Sequence, residues 1–409
     1  MRAVITGIGL VGPNGVGKDR FWQAILSRVS GIERVTRFDP SGYACQVAGE
    51  VRDRSWEELV EPRKLRNTTL ATQLSLAASE LALRDARLAT DFYASHDRGV
   101  LVGTALGGWR EAEQQYAVLL ERGARRVNPF LVSGAGNHTA GLEVAAAIGA
   151  QGTHVTYSSG CPSSLQAIAH AAALIRGGEI GFCLAGGFET PLSPLVFAGL
   201  GRTQELSSLN DDPARASRPF DRSHAGMVLS EGSCLLTLEA EDKALERGAH
   251  IYATVLGSGF SCDAQGLYAT DASGEAGATA LRQALLRSAV EPHEVDYVCS
   301  HANSLPVFDR KDSCVLQHVF GEQLGCLPVS SIKGVLGHPF GASGAFQTAA
   351  ASLALEHQTL PPNANLEDAD SECHLNLMGA EPRPARIRHA LVTSYGYGGV
   401  NAYLVLGRP

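Results

Sequence analysis

Short apolar runs alternate with longer stretches of helical period from one end of the chain to the other, the pattern of an α/β sandwich. The runs predict strands at Ala3–Thr6, Gly99–Gly103, His154–Tyr157, Gly181–Ala185 and Ser233–Glu239. A second series falls at Tyr252–Gly257, Tyr297–Ser300, Leu327–Ser330, His389–Thr393 and Ala402–Leu406. Helical spacing predicts helices at Thr68–Arg84, Ala140–Ile148, Ser163–Arg176 and Ala342–Leu355. A weak internal echo runs through this pattern. Val4-Ile5-Thr6-Gly7-Ile8-Gly9-Leu10 is repeated loosely by Val255-Leu256-Gly257-Ser258-Gly259-Phe260, and the alanine-rich helix after Ser163 by the one after Gly344. Two related halves, residues 1–250 and 251–409, would then set a loop ending in Cys161 opposite a counterpart carrying His338.

With 409 residues, 44% of them hydrophobic, the chain can bury a large core. A net charge of −8 argues against nucleic-acid binding, which needs a basic face. An acidic carrier protein could still dock on a local basic patch. The first residues are too short an apolar run for a signal peptide, and no stretch approaches the roughly 18 apolar residues of a membrane span. Nine cysteines, with no C-x-x-C pair, suit reduced thiols in a cytoplasmic protein; neither a disulfide framework nor a metal site is expected.

Two nucleotide-binding patterns near the start fail on chemistry. Gly7-Ile8-Gly9-Leu10-Val11-Gly12 matches G-x-G-x-x-G, but Pro13-Asn14-Gly15 follows instead of a helix. Gly12 to Lys18 has P-loop spacing, yet Asp19 stands where a magnesium-binding hydroxyl belongs. A glycine turn capping a buried strand is the expected structure there.

Three distant segments each hold one reactive side chain among small residues: Ser158-Ser159-Gly160-Cys161-Pro162-Ser163-Ser164, Ser300-His301-Ala302-Asn303 and Gly337-His338-Pro339-Phe340-Gly341. Cys161 falls between a predicted strand and a predicted helix, so its thiol lies at a helix N-terminus, where partial positive charge favours thiolate. A nucleophile at such a bend is exposed beside backbone N–H donors. One thiol and two imidazoles suffice to make and use a thioester.

The order of these segments resembles that of the elongating β-ketoacyl-[acyl carrier protein] synthases of type II, members of the thiolase superfamily, and the related polyketide ketosynthases. The likeness runs nearly end to end. It includes the opening Val4–Gly9 through Phe21-Trp22, then Thr36-Arg37-Phe38-Asp39, Ala216-Ser217-Arg218-Pro219-Phe220-Asp221 and Gly226-Met227-Val228-Leu229-Ser230-Glu231-Gly232. Leu360-Pro361-Pro362-Asn363, Asn365-Leu366-Glu367 and Ser394-Tyr395-Gly396-Tyr397-Gly398-Gly399-Val400-Asn401 complete it.

The resemblance implies a five-layered αβαβα sandwich of two pseudo-symmetric halves, and an acyltransferase catalysing decarboxylative Claisen condensation. Cys161 would carry the acyl group. His301 and His338 would hold the malonyl thioester carbonyl, with Lys333 close by and Asp312 in place of a usual Glu. The backbone N–H groups of Cys161 and Tyr397 would form an oxyanion hole, and Tyr395 and Tyr397, where phenylalanines are usual, a gate. Leu106, Phe340, Asn303, Leu305 and Gly134 would border the substrate, the last in a widened dimer-side tunnel wall. The implied partners are an acyl carrier protein and a like subunit, as homodimer or heterodimer. No bound cofactor is implied, because the carrier's phosphopantetheine arm is a substrate handle. Gly160, Pro162, Asn303 and Leu305 depart from the family's pattern and point to an unusual acyl substrate of polyketide or polyene type. Primary fatty-acid elongation and a non-elongating acyl transfer are the alternatives.

Overall fold

A computed structural model describes residues 1–267 and 269–409. Its core strands are β1 (Ala3–Gly12), β2 (Arg98–Gly103), β3 (His154–Tyr157), β4 (Phe182–Glu189), β5 (Gly232–Ala240), β6 (Ala253–Cys262), β7 (Tyr297–Cys299), β8 (Pro328–Ser330), β9 (His389–Gly396) and β10 (Val400–Gly407). Five helices frame them: α1 (Leu70–Ala86), α2 (Ser163–Arg176), α3 (Glu275–Ser288), α4 (Pro306–Phe320) and α5 (Ser343–His357).

From β1 outward the first half runs β1-β5-β4-β2-β3, and from β6 outward the second runs β6-β10-β9-β7-β8. The pairing senses match as well. β2 lies parallel to both β3 and β4, as β7 does to β8 and β9, and the remaining pairs within each half are antiparallel. The halves meet at a three-pair antiparallel seam, Ala3–Val255, Val4–Thr254 and Ile5–Ala253.

The sequence echo has a physical cause in this frame. A Cβ on Gly7 or Gly9 of β1 would overlap the carbonyl oxygens of Ala82 and Ala78 in α1. In β6, Gly257 and Gly259 make the same close approach to Ala284 and Ala280 of α3. These glycines let an outer helix lie flat on a strand, so β1 continues through Gly12. The glycine turn expected there is therefore corrected: the turn is Pro13–Asn14, and a helix starts at Lys18.

Both faces of each half are covered, because alternate strand residues point in opposite directions. Leu101, Cys183, Ala185, Ala390, Val392 and Leu404 pack inward on α2 and α5. Their neighbours Val100, Val102 and Leu184 pack outward on α1, and Leu391 and Val405 outward on α3 and α4. Burial on both sides is why the strands read as unbroken apolar runs. α5 is buried all round except at its C-terminal end, as a middle-layer helix must be. The five layers are α1, the first half-sheet, α2 with α5, the second half-sheet, and α3 with α4.

Candidate active site

Cys161 reaches the end of α2 through a tight turn. Gly160 adopts a φ of +77°, a left-handed conformation that glycine takes without strain, and Pro162 precedes the helix as its cap. The second middle helix, α5, is preceded by Gly337–Ala342, so the loops bearing Cys161 and His338 open on the same layer. His338 Nε2 lies 3.2 Å from Cys161 Sγ. The His301 ring stands edge-on to His338, with centroids 5.2 Å apart. Cys161, His301 and His338 are all buried, and both His301 nitrogens and His338 Nδ1 lack a partner among the described residues.

Burial sets the charge state of this group. It pushes both imidazoles well below the usual histidine range, with the nearby Lys333 charge acting in the same direction. They are therefore neutral and can donate one N–H each. Burial also pushes the Cys161 thiol up to about 12, against the opposing pull of Lys333. Burial thus works against the thiolate that the helix N-terminus favours, and His338 Nε2 is placed to take the thiol proton. Lys333 is lowered to about 8 by burial. Its ammonium donates to the His301 carbonyl and to Gln347 Oε1. No carboxylate pairs with it among the described residues.

Asp312 instead accepts from three hydroxyls, those of Ser300, Thr393 and Tyr395. Tyr395 is not part of a gate. It belongs to β9, is fully buried, and turns its hydroxyl to Asp312 because strand alternation aims it at the outer layer. Tyr397 lies in the Tyr397–Gly399 turn that follows β9. The end of β9 just before it lies against the nucleophile's turn: a Cβ on Gly396 would come 2.8 Å from Pro162 Cδ and 3.4 Å from Cys161 N. Among the described residues, neither Cys161 N–H nor Tyr397 N–H is engaged in a backbone hydrogen bond.

A cavity of about 470 Å³ opens over Cys161, lined by Leu106, Trp109, Leu195, Leu200, Phe340 and Tyr397. Phe340 packs edge-on to His338 at 5.2 Å and holds a φ of +31°, strained for a residue with a Cβ. The Tyr397 hydroxyl shares this cavity wall with Glu205, and burial, with that carboxylate acting in the same direction, pushes its pKa up. Three assignments are corrected here. Asn303 and Leu305 are buried off the cavity wall, because Asn303 Oδ1 accepts from Leu305 N in the turn that starts α4. Gly134 ends the short helix Leu131–Gly134, which turns it to a separate hollow of about 560 Å³ beside Thr69.

Two residues of the site carried no motif. Glu189, at the end of β4, is buried and accepts from Thr104 Oγ1, Ala105 N, Leu106 N and Gly341 N at 2.7–3.0 Å. It ties the cavity wall to the His338 segment. Gln347 donates to the carbonyls of Ser300 and Thr393, bracing the His301 segment against α5. A carboxylate ending an apolar strand, and an amide in an alanine-rich helix, were the available signals.

Known proteins share this arrangement of chain and fold. Family models described as the N-terminal and C-terminal domains of beta-ketoacyl synthase match residues 1–244 and 252–367. 3-Oxoacyl-[acyl-carrier-protein] synthase 2 of Coxiella burnetii is 34% identical over 407 residues, covering 100% of this chain and 98% of the relative. The actinorhodin polyketide putative beta-ketoacyl synthase 1 of Streptomyces coelicolor is 34% identical, covering 99% and 88%. A type II PKS acyl-carrier protein in complex with its ketosynthase bound to the hexaketide (AntDE:AntF) superposes with a TM-score of 0.91 at 29% identity, covering 100% and 99%.

Proposed function

The chain belongs to the β-ketoacyl synthase family, and from that premise we propose that it catalyses decarboxylative Claisen condensation between an acyl group on Cys161 and a malonyl group on an acyl carrier protein. The observation that carries this reading is the buried trio, with His338 Nε2 3.2 Å from the thiol and the neutral His301 ring beside it.

In the first half-reaction Cys161 Sγ attacks the acyl thioester as His338 takes the thiol proton. The backbone N–H groups of Cys161 and Tyr397 receive the tetrahedral oxyanion, and the proton passes to the departing carrier thiolate. In the second, with Cys161 acylated and no thiol proton for it to accept, His338 holds its own proton on Nε2, and the malonyl thioester carbonyl accepts from both imidazoles. The C–C bond to the carboxylate breaks, carbon dioxide leaves, and the electron pair moves onto that oxygen as an enolate. Neutral donors aimed at a developing oxyanion in a dry site are the strongest means available here. The enolate carbon then bonds to the acyl carbonyl carbon and expels Cys161 thiolate, which takes up a proton from solvent to restore the thiol. The product is the 3-oxoacyl carrier. The phosphopantetheine arm serves as the substrate's handle, and the scheme draws on no other cofactor.

A polyketide- or polyene-like substrate suits the cavity better than a saturated fatty acyl chain, since its wall carries the Tyr397 hydroxyl and the Glu205 carboxylate among the apolar side chains. A like subunit, identical or related, suits the face bearing Phe130 and Val132, which are 70% and 88% exposed. A reducing, cytoplasmic setting suits nine cysteines that are all unpaired.

Intact-mass spectrometry after incubation with acyl carriers, together with carbon dioxide release from malonyl carrier, tests the proposal. Cys161→Ala should lose the acyl adduct and condensation while still releasing carbon dioxide. Full condensation by that variant, or no release from malonyl carrier by the wild type, would refute it.

A further inference from the structure

Asp312 is fully buried, accepts from three hydroxyls, and forms no ion pair among the described residues. Each of two of those hydroxyls does a second job. Thr393 Oγ1 donates to Asp312 Oδ2 at 3.1 Å and accepts from His301 N at 2.9 Å. Ser300 Oγ donates to the same oxygen and accepts from Ala302 N at 2.9 Å. A hydroxyl has one proton, so committing it to the carboxylate leaves the lone pairs for backbone N–H groups. The carboxylate thereby fixes the polarity of two bridges that clamp the backbone on either side of the His301 ring.

Among the described residues its second oxygen, Oδ1, accepts only from Tyr395, at 2.8 Å. Tyr403 in turn donates to the Tyr395 hydroxyl at 3.4 Å, which leaves the Tyr395 proton for Asp312. The Tyr395 ring also stands edge-on to His301, with centroids 5.6 Å apart. Without that phenol, the carboxylate could rotate and take both bridges with it.

We infer that Tyr395 and Asp312 act as one unit that positions His301 for the malonyl half-reaction. This inference rests on the function proposed above and adds a residue that touches no substrate. The pair has a definite volume. Removing the Tyr395 hydroxyl frees about the room of one methylene group, and lengthening Asp312 to Glu fills about that room, so the two changes should compensate in the way that volume-conserving exchanges do.

The test uses full-length wild type, Tyr395→Phe, Asp312→Glu and the double variant. Malonyl-carrier decarboxylation is measured against acylation of Cys161 as internal reference. In Tyr395→Phe, decarboxylation kcat should fall about tenfold, the cost of one hydrogen bond to a buried charge, with KM and acylation changed by less than about twofold. Asp312→Glu should lose at least as much, because its added methylene meets the Tyr395 hydroxyl. The double variant should recover to within about threefold of wild type, which only coupled residues do. Unchanged decarboxylation in Tyr395→Phe, equal loss of both half-reactions, or a double variant no better than the weaker single would overturn the inference.

A wild type that acylates Cys161 yet releases no carbon dioxide would instead overturn the proposed function. The positioning pair is then judged by the His301 imidazole NMR signals, identified by their loss in His301→Asn. Movement of those signals in Tyr395→Phe and their return in the double variant support it; signals that stay fixed sink it.

Discussion

Replacing Glu189 by Gln removes a charge and almost no volume, so its effect can be worked out from acceptor geometry. Oε1 accepts from Thr104 Oγ1 and Leu106 N, each at 3.0 Å; Oε2 accepts from Ala105 N at 2.7 Å and Gly341 N at 2.9 Å. A glutamine has one oxygen, and its better orientation keeps that oxygen on Ala105 and Gly341. The amide nitrogen then faces Thr104, whose hydroxyl can turn to accept, and Leu106 N–H, which cannot. One buried donor is left unpaired at about 2 kcal/mol, and two charge-assisted bonds become neutral at about 0.5 kcal/mol each, about 3 kcal/mol together. Relief of the desolvation that raises the Glu189 pKa works against this sum. Glu189→Ala leaves three backbone N–H groups bare (Ala105, Leu106 and Gly341), about 6 kcal/mol on the same scale. Urea unfolding followed by tryptophan fluorescence measures the stability, and mass spectrometry the rate of Cys161 acylation. The orphaned donor in Glu189→Gln is on Leu106, a cavity-wall residue, so acylation should suffer more than malonyl decarboxylation. A Glu189→Gln protein within about 1 kcal/mol of wild type, with normal acylation, would show that acceptor number is not what joins these loops.

Two further outcomes follow from packing and burial. Gly9→Ala should prevent soluble expression or lower stability by more than about 4 kcal/mol, because the added methyl overlaps the Ala78 carbonyl of α1; a stable, soluble variant would contradict the close approach. Acidification should destabilise the fold. The folded-state pKa values of His301 and His338 are depressed by burial, so below about 6.5 the unfolded chain takes protons that the folded one refuses. Each histidine then removes up to about 1.4 kcal/mol per pH unit. The fall in unfolding free energy between pH 7.5 and 5.5 should be smaller in His338→Asn, and an identical fall would refute the assignment.

The strands and helices were legible because each half-sheet is buried on both faces, giving apolar runs that end where the layers end. β3 and α2 begin and end where the sequence places them. Glycine misled in one direction. Gly7, Gly9, Gly186 and Gly187 look like strand breakers, yet they stand where another backbone passes within contact distance, so β1 and β4 run well beyond their predicted ends. That shortening of β4 hid Glu189. The reactive trio could be read because thiol and imidazole are rare among small residues, and its sequence order matched a known one. Tyr395, Asn303, Leu305 and Gly134 were misplaced for a different reason. Whether a side chain faces the cavity depends on one step of strand alternation or one turn of backbone, which residue identity does not encode.

The apolar wall over Cys161 bears on how long the acyl-enzyme survives. The thioester sits in the middle layer, and the cavity that opens over it is lined by Leu106, Trp109, Leu195, Leu200, Phe340 and Tyr397. An acyl chain that fills this space keeps water from its own thioester, and a short one leaves room for it. The half-life of the acyl-enzyme without malonyl carrier should therefore lengthen as the acyl group fills the cavity, which makes spontaneous hydrolysis a gauge of fit.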